Sequence, residues 1–210
     1  MKRLWIASLA AAAVIVAASS AAITAGHAEE EGIDKANADA FDLRMFASPP
    51  GQKAYACFMR RYDPDHLARH PRQKVNAMML LVSAEIPSDE KTYNYSFRLG
   101  VKYRHRPGDF DSSGDCGHVV AEDAGNEIRF GCGVDCDGGG INVALSKDDK
   151  SAIIRLDRIT VWQRHKLDGD AGDALLAGAD DKIFRLDRAD PRECASLVTD
   201  RKELAAIRHK

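Results

Sequence analysis

The residues best suited to chemistry in this 210-residue chain lie between positions 131 and 140, where cysteines, aspartates and glycines follow one another closely. Cys132 and Cys136 have a short spacing of the kind that zinc sites use, although no second ligand pair follows. Asp135 and Asp137 could supply carboxylate oxygens to a hard cation. A third interpretation is a disulfide-pinned strand followed by a glycine turn. The sequence favours this structural interpretation, because a redox motif would have two residues between its cysteines and an adjacent β-α-β pattern.

The five cysteines of the chain are expected to form two disulfides and leave one thiol over. Cys57 and Cys194 lie near the two ends of the domain, so their pairing would close a long loop and staple the termini. Cys132 and Cys136 would lie about 13 Å apart along a regular strand, which is too far for a direct bridge without a sharp turn. We therefore expect Cys116 to pair with one of these two cysteines.

Two histidines form a further candidate site. His66 and His70 are four residues apart on one expected helix face, a spacing that metalloproteases use, but Leu67 stands where their catalytic glutamate follows the first histidine. His66 and His70 are therefore weak binding candidates, in the same class as Asp135 and Asp137.

The remaining motifs point to no reaction. The loop at 168–173 departs from the calcium-binding EF-hand pattern at several positions, so we expect a solvated hairpin loop there. His105 and His118 have no partner that their spacing identifies, and the chain contains no Gly-x-Ser-x-Gly nucleophile motif. The sequence thus assigns no catalytic residue, no bound metal and no cofactor.

The N-terminus has the three-part layout of a secretory signal peptide: basic Lys2 and Arg3, an uncharged run over residues 4–25, and a small-residue end at Ala28. The run is mostly alanine and serine and precedes acidic residues 29–31, so cleavage is favoured over a retained membrane anchor. We expect this segment to be removed. The mature chain would then be a soluble periplasmic or extracellular protein with no membrane span.

The charge balance argues against a nucleic-acid partner. The full chain has 30 basic and 32 acidic residues, and loss of the signal peptide leaves 28 basic against 32 acidic, a net charge of −4. The two signs are well mixed along the sequence, whereas nucleic-acid-binding proteins usually show a basic excess on one face.

Short runs that alternate apolar and polar residues dominate the rest of the chain, as half-buried strands do. The alternation is continuous over residues 93–103 and returns over 128–134 and 141–145. Nearly the same hexapeptide stands at 153–158 and at 183–188, which indicates two strands of similar design and not a repeat architecture.

Helices are expected only near the ends of the domain. Asp63 and Pro64 begin a short helix that ends by His70, and a C-terminal helix is predicted over residues 191–207. Residues 29–50 end in a proline-proline pair before Gly51, and we expect a flexible leader there.

These elements predict a single mainly β domain over residues 51–210, with a short N-terminal helix and a C-terminal helix. Both an antiparallel β-barrel and a two-sheet sandwich fit, and the meander-like strand order favours the barrel. By analogy with small exported barrels, we expect a non-catalytic binding or structural envelope protein. Its partner would be a small apolar ligand in the interior or another protein. The alternative is a metal-dependent hydrolase or metal-binding protein that uses residues 132–137.

Overall fold

Alternating apolar residues form the strands of an antiparallel sheet in the computed structural model, which describes residues 33–164 and 172–208. The signal peptide predicted for residues 1–28 lies outside this part of the chain, as does most of the loop at 168–173. In chain order the described helices and strands are α1 (Lys35–Phe46), β1 (Lys53–Arg61), α2 (Pro64–Arg69), β2 (Val75–Glu85), β3 (Asn94–Tyr103), β4 (Phe110–Ala121), β5 (Glu127–Gly133), β6 (Gly139–Leu145), β7 (Ser151–Gln163), β8 (Asp173–Leu176), β9 (Ile183–Ala189) and α3 (Arg201–Arg208), with 3-10 helices at Glu122–Ala124 and Pro191–Leu197.

The nine described strands form one antiparallel sheet in the order β6-β5-β4-β3-β2-β1-β9-β7-β8. A further pairing between β6 and β7 closes the sheet into a ring, and β8 extends from β7 beside that ring. The predicted mainly β, antiparallel fold is confirmed, and of the two predicted architectures the structure has the closed one. Strand neighbours in the ring are mostly consecutive in the chain, as in a meander, and β9 inserts between β1 and β7.

The pleat of the strands sends one set of side chains into the ring. Cross-strand register aligns His118, Phe130, Val143, Ile154 and Phe184 in one inward row across five strands. The largest fully buried side chains include five phenylalanines, which are Phe58, Phe97, Phe110, Phe130 and Phe184. These side chains fill the interior as a packed core, in the manner of small barrels.

Helix α1 occupies most of the segment that we expected to be a flexible leader. Asp34 caps its first turn by accepting a hydrogen bond from the backbone N–H of Asn37 at 3.0 Å. Phe41 and Met45 are buried in the same core cluster as the strand residues. Arg188 on β9 donates to the backbone carbonyls of the last helical turn, where cations are favoured. The composition of residues 29–50 suggested a loose segment, but these contacts pack the helix against the sheet.

The C-terminal region also differs in detail from the prediction, which was one continuous helix. The chain forms the 3-10 helix Pro191–Leu197 and then α3. Val198 interrupts the helical path with an extended backbone, φ −102° and ψ 121°. Asp200 begins the second helix, because its carboxylate accepts a hydrogen bond from the backbone N–H of Glu203 at 2.8 Å.

Two disulfides join four of the five cysteines, which confirms the prediction of two bridges and one remaining thiol. Cys57 on β1 is bonded to Cys194 in the C-terminal 3-10 helix, across a sequence separation of 137 residues. Cys116 is bonded to Cys132, its cross-strand neighbour on β5, across a separation of 16 residues. Cys136 is the remaining thiol and is exposed.

The two disulfides should differ in their contribution to stability, because the longer loop restricts the unfolded chain more. The double variant C57A/C194A is expected to lose about 5 kcal/mol of unfolding free energy, and C116A/C132A about 3 kcal/mol, in the chain-entropy model. Urea denaturation of the two variants and the parent chain measures both values. An equal or larger loss from the shorter loop would contradict this ranking.

Candidate functional site

The aspartates singled out in the sequence lie in the exposed turn between β5 and β6. Asp137 contributes its backbone carbonyl to this turn, where it accepts a hydrogen bond from the guanidinium of Arg158. Cys132 has its sulfur in the bond to Cys116 and so offers no thiolate to a metal. Within residues 33–164 and 172–208, no three His, Cys, Asp or Glu side chains are grouped as metal ligands. A metal site at 132–137 would depend on Asp135, Asp137 and Cys136 alone.

The two candidate histidines of α2 pack against their surroundings. The rings of His66 and His70 stack with centroids 4.4 Å apart, and His66 also stacks on Tyr62 at 4.6 Å. His66 Nε2 is hydrogen-bonded to Gln73 Oε1 at 2.9 Å, and His70 Nδ1 lies 3.9 Å from Asp180. Both histidines are half-buried, and these contacts tie α2 to the chain that follows it.

Tyr62, under the histidine stack, provides a test of this packing. Burial raises the pKa of Tyr62 to about 12, whereas an unfolded tyrosine ionises near pH 10. The folded state therefore keeps Tyr62 neutral, and this contribution to stability is lost as the pH rises from about 10 through about 12. Ultraviolet absorbance of tyrosinate should show an ionisation near pH 12 that is missing in the Tyr62→Phe variant. Ionisation of all tyrosines near pH 10 in the folded protein would contradict the packing.

A buried polar cluster that sequence reasoning did not find joins α1 to the sheet. Asp42 is 3% exposed and accepts hydrogen bonds from Tyr95 Oη at 2.5 Å and from His118 Nε2 at 2.9 Å. The imidazole of His118 lies among the rings of Phe41, Tyr95 and Phe130, with centroid distances of 5.7, 5.0 and 4.8 Å. Asp42 and His118 are 76 residues apart, so no local spacing could have signalled the pair.

This cluster has the residue types of an acid-base pair, but its geometry serves to hold a helix. Both carboxylate oxygens of Asp42 accept hydrogen bonds from groups of the sheet. A buried carboxylate is costly unless it is satisfied in this way. Burial and the hydrogen bond to Asp42 raise the pKa of Tyr95 well above its usual value, so the phenol stays a donor. The cluster therefore fixes the position and rotation of α1 against the core.

Removal of one donor should weaken this attachment. The Tyr95→Phe variant leaves a buried carboxylate short of one hydrogen bond and is expected to lose about 1.5 to 3 kcal/mol of unfolding free energy. Tyr103→Phe is the matched control, since the Tyr103 ring packs on Phe110 and its hydroxyl forms no hydrogen bond within the described residues. Equal losses of unfolding free energy in the two variants, measured by urea denaturation, would show that the hydrogen bond from Tyr95 to Asp42 adds no stability of its own.

The outer face of β4–β7 forms a broad groove with a volume of about 890 Å³. Its floor follows a row of outward-facing residues, one position along each strand from the inward row that begins at His118. The cross-strand neighbours in this outward row are Gly117, Gly131, Asn142, Arg155 and Ile183. A Cβ atom at Gly131 would lie 2.9 Å from Val119 Cγ1, closer than side chains normally approach. The glycine therefore leaves room for the Val119 side chain to lie against this part of the floor.

The groove carries an excess of positive charge. The charged side chains among its lining residues are Arg129, Arg155, Arg158, Lys182 and the single carboxylate Asp157. Arg129 is held by Glu127, whose carboxylate accepts from its Nε at 2.8 Å. The Arg158 guanidinium donates a hydrogen bond to the backbone carbonyl of Asp137. The side chains of Arg155 and Lys182 form no hydrogen bond or ion pair among the described residues.

Arg155 is the most distinctive residue of the groove. Its Nη1 atom is buried and has no hydrogen-bond partner within the described residues. Asn142 is its direct cross-strand neighbour, so an amide and a guanidinium lie side by side on the floor. A planar guanidinium with unused donors is suited to bind carboxylate or phosphate oxygens. Arg155 belongs to the hexapeptide at 153–158 that the sequence predicts to be a strand, and nothing in that pattern distinguishes it from the other arginines.

Comparisons of the chain with protein-family models, with curated proteins and with solved structures find no match. Among the helices in the described part of the chain, none combines the length and the apolar character that crossing a membrane requires.

Proposed function

We propose that this protein is an exported, disulfide-stapled β-domain that acts by binding, and that an anionic ligand occupies the groove on β4–β7. The observation that carries this proposal is the buried Nη1 of Arg155, which has no hydrogen-bond partner among the described residues and belongs to a groove whose charged lining residues are four cations and one carboxylate. A buried donor without a partner costs about 1 to 3 kcal/mol. A carboxylate or phosphate oxygen at this position would supply the missing partner.

The proposed ligand binds outside the ring because the interior is occupied by side chains. The inward residues Phe58, Phe97 and Phe130 are at most 1% exposed, and α1 adds Phe41 and Met45 to the same cluster. The sequence predicted either a small apolar ligand inside the barrel or a protein partner. The packed core favours the surface.

Export is supported by the layout of the N-terminal sequence and by the cysteines. Four of the five cysteines are in disulfides, which persist in oxidising compartments and are rare in the cytosol. The alternative of a metal-dependent hydrolase has less support, since Cys132 is already bonded to Cys116.

The test replaces Arg155 by methionine, which is similar in length and apolar. Binding of inorganic phosphate and of succinate to the parent chain is measured by calorimetry, and simple anions are expected to bind with Kd values of about 1 mM. Arg155→Met should weaken this binding about 10- to 100-fold, because one charge-assisted hydrogen bond is lost. The same variant should be as stable as the parent or more stable, since it buries no unpaired donor.

Arg192→Met is the matched control. Arg192 is exposed, pairs with Asp190 at 2.7 Å and does not line the groove, so its loss should leave anion binding unchanged. Equal affinity in Arg155→Met and the parent would contradict the proposal. A large loss of stability in Arg155→Met with unaltered binding would assign Arg155 a structural role.

A further inference from the structure

Strand β8 leaves the closed ring and exposes an unpaired edge. Residues Asp173–Leu176 pair with β7 over Arg158–Val161, and within the described residues no strand pairs with the opposite edge of β8. Each of the eight strands that form the ring has a neighbour on both sides. An unpaired edge offers backbone N–H and C=O groups to any extended chain of suitable shape.

The ladder between β7 and β8 shows which backbone groups face outward. The N–H of Ala177 donates to the carbonyl of Asp157 at 2.8 Å, so this pair exchanges hydrogen bonds with β7. Because hydrogen-bonded pairs alternate along an antiparallel ladder, residues 173 and 175 also bond to β7. The N–H and C=O groups of Ala174 and Leu176 therefore point to the open edge.

A cleft with a volume of about 410 Å³ runs alongside this edge. Asp173, Ala174 and Leu175 form one wall, residues 71–74 form another, and Tyr103 and Arg106 lie at the end of β3 and just beyond it. Hydrogen bonds hold the opposite wall in place, since Asp180 accepts from the backbone N–H of Arg72 at 3.0 Å. The open edge of β8 therefore lies along a cleft whose opposite wall is held in place by hydrogen bonds.

The rim of the cleft is basic. Arg72, Lys74, His105 and Arg106 line it, against the single carboxylate of Asp173, which pairs with Arg106. The side chains of Arg72 and Lys74 form no hydrogen bond or ion pair within the described residues. Their charges are available to a ligand of opposite sign.

We propose that the β8 edge binds an extended acidic peptide segment of a partner protein by strand addition. Main-chain hydrogen bonds to Ala174 and Leu176 supply the pairing, in the way that exposed sheet edges capture peptides elsewhere. Carboxylates of the peptide that face the cleft meet Arg72 and Lys74. The peptide side chains at the alternate positions, on the opposite face of the added strand, lie beside Leu176, which is 49% exposed and apolar. This site is separate from the Arg155 groove and does not depend on it.

The test uses a fluorescein-labelled heptapeptide in which glutamate and valine alternate, with a lysine-valine peptide as the charge control. Fluorescence anisotropy should give a Kd for the glutamate peptide below about 1 mM and a value at least about tenfold weaker for the lysine peptide, because the rim charges repel it. Failure of the glutamate peptide to bind, or equal binding of both peptides, would overturn the proposal.

Variants of the edge separate strand addition from simple charge attraction. Ala174→Pro removes an outward N–H at a position where an edge strand accommodates proline, and it should weaken binding at least about tenfold. Ala174→Ser keeps the N–H and should bind as the parent does, as should Arg155→Met, which alters the other site. Unchanged binding in Ala174→Pro would contradict strand addition.

Hydrogen exchange on the unaltered chain covers the case in which Ala174→Pro does not fold. Saturating glutamate peptide should slow exchange of the Leu176 and Ala174 amides about tenfold or more, since both become hydrogen-bonded donors. The amides of Asp173 and Leu175 already bond to β7 and should change little. Equal slowing at all four positions, or at none, would overturn the proposal.

Discussion

The rest of the fold depends on the short pairing between β1 and β9 within the ring. β9 pairs with β1 through Cys57, Phe58 and Met59 only, which is a short ladder for a strand that links β1 to β7 in the ring. The Cys57–Cys194 disulfide is attached to this pairing at Cys57. Arg188 of the same strand lies over the Phe58 ring, 4.6 Å from its centroid, and reaches the last carbonyls of α1. The β1–β9 pairing, the Cys57–Cys194 disulfide and the position of α1 are therefore connected through the same residues.

The filled interior leaves only the outer surface for the two sites that we propose. Each strand has two faces, and in β4–β7 the inward face is aromatic and aliphatic while the outward face carries glycines, an amide and arginines. The groove proposed for an anion is formed by outward side chains, and the β8 edge proposed for a peptide is formed by outward backbone groups, so neither uses the residues of the core. Both surfaces are basic although the chain as a whole has a net charge of −2.

The strands were predictable because their alternation is local: the alternating run over residues 93–103 forms β3, and the runs over 128–134 and 141–145 fall within one or two residues of β5 and β6. The pairing of Cys57 with Cys194 could be anticipated from their places at the domain ends. Helix α1 could not be anticipated from the sequence, because its stability comes from Asp42 and from contacts with distant strands. The twin hexapeptides show the same limit. Arg155 and Arg185 occupy equivalent places in nearly identical sequences, yet Arg185 donates to Ser151 while Arg155 has a buried nitrogen without a partner.

The long disulfide also has a kinetic consequence. Cys57 is synthesised 137 residues before Cys194, and Cys116, Cys132 and Cys136 all emerge in the interval. An oxidant that acts on the growing chain meets these nearer thiols first, and short loops close at a lower entropic cost than long ones. The native Cys57–Cys194 bond can form only after Cys194 is available, so any earlier bridge from Cys57 to one of the nearer thiols must be exchanged. The yield of this protein in an oxidising compartment therefore depends on how fast disulfides are reshuffled as well as on how stable the finished ring is.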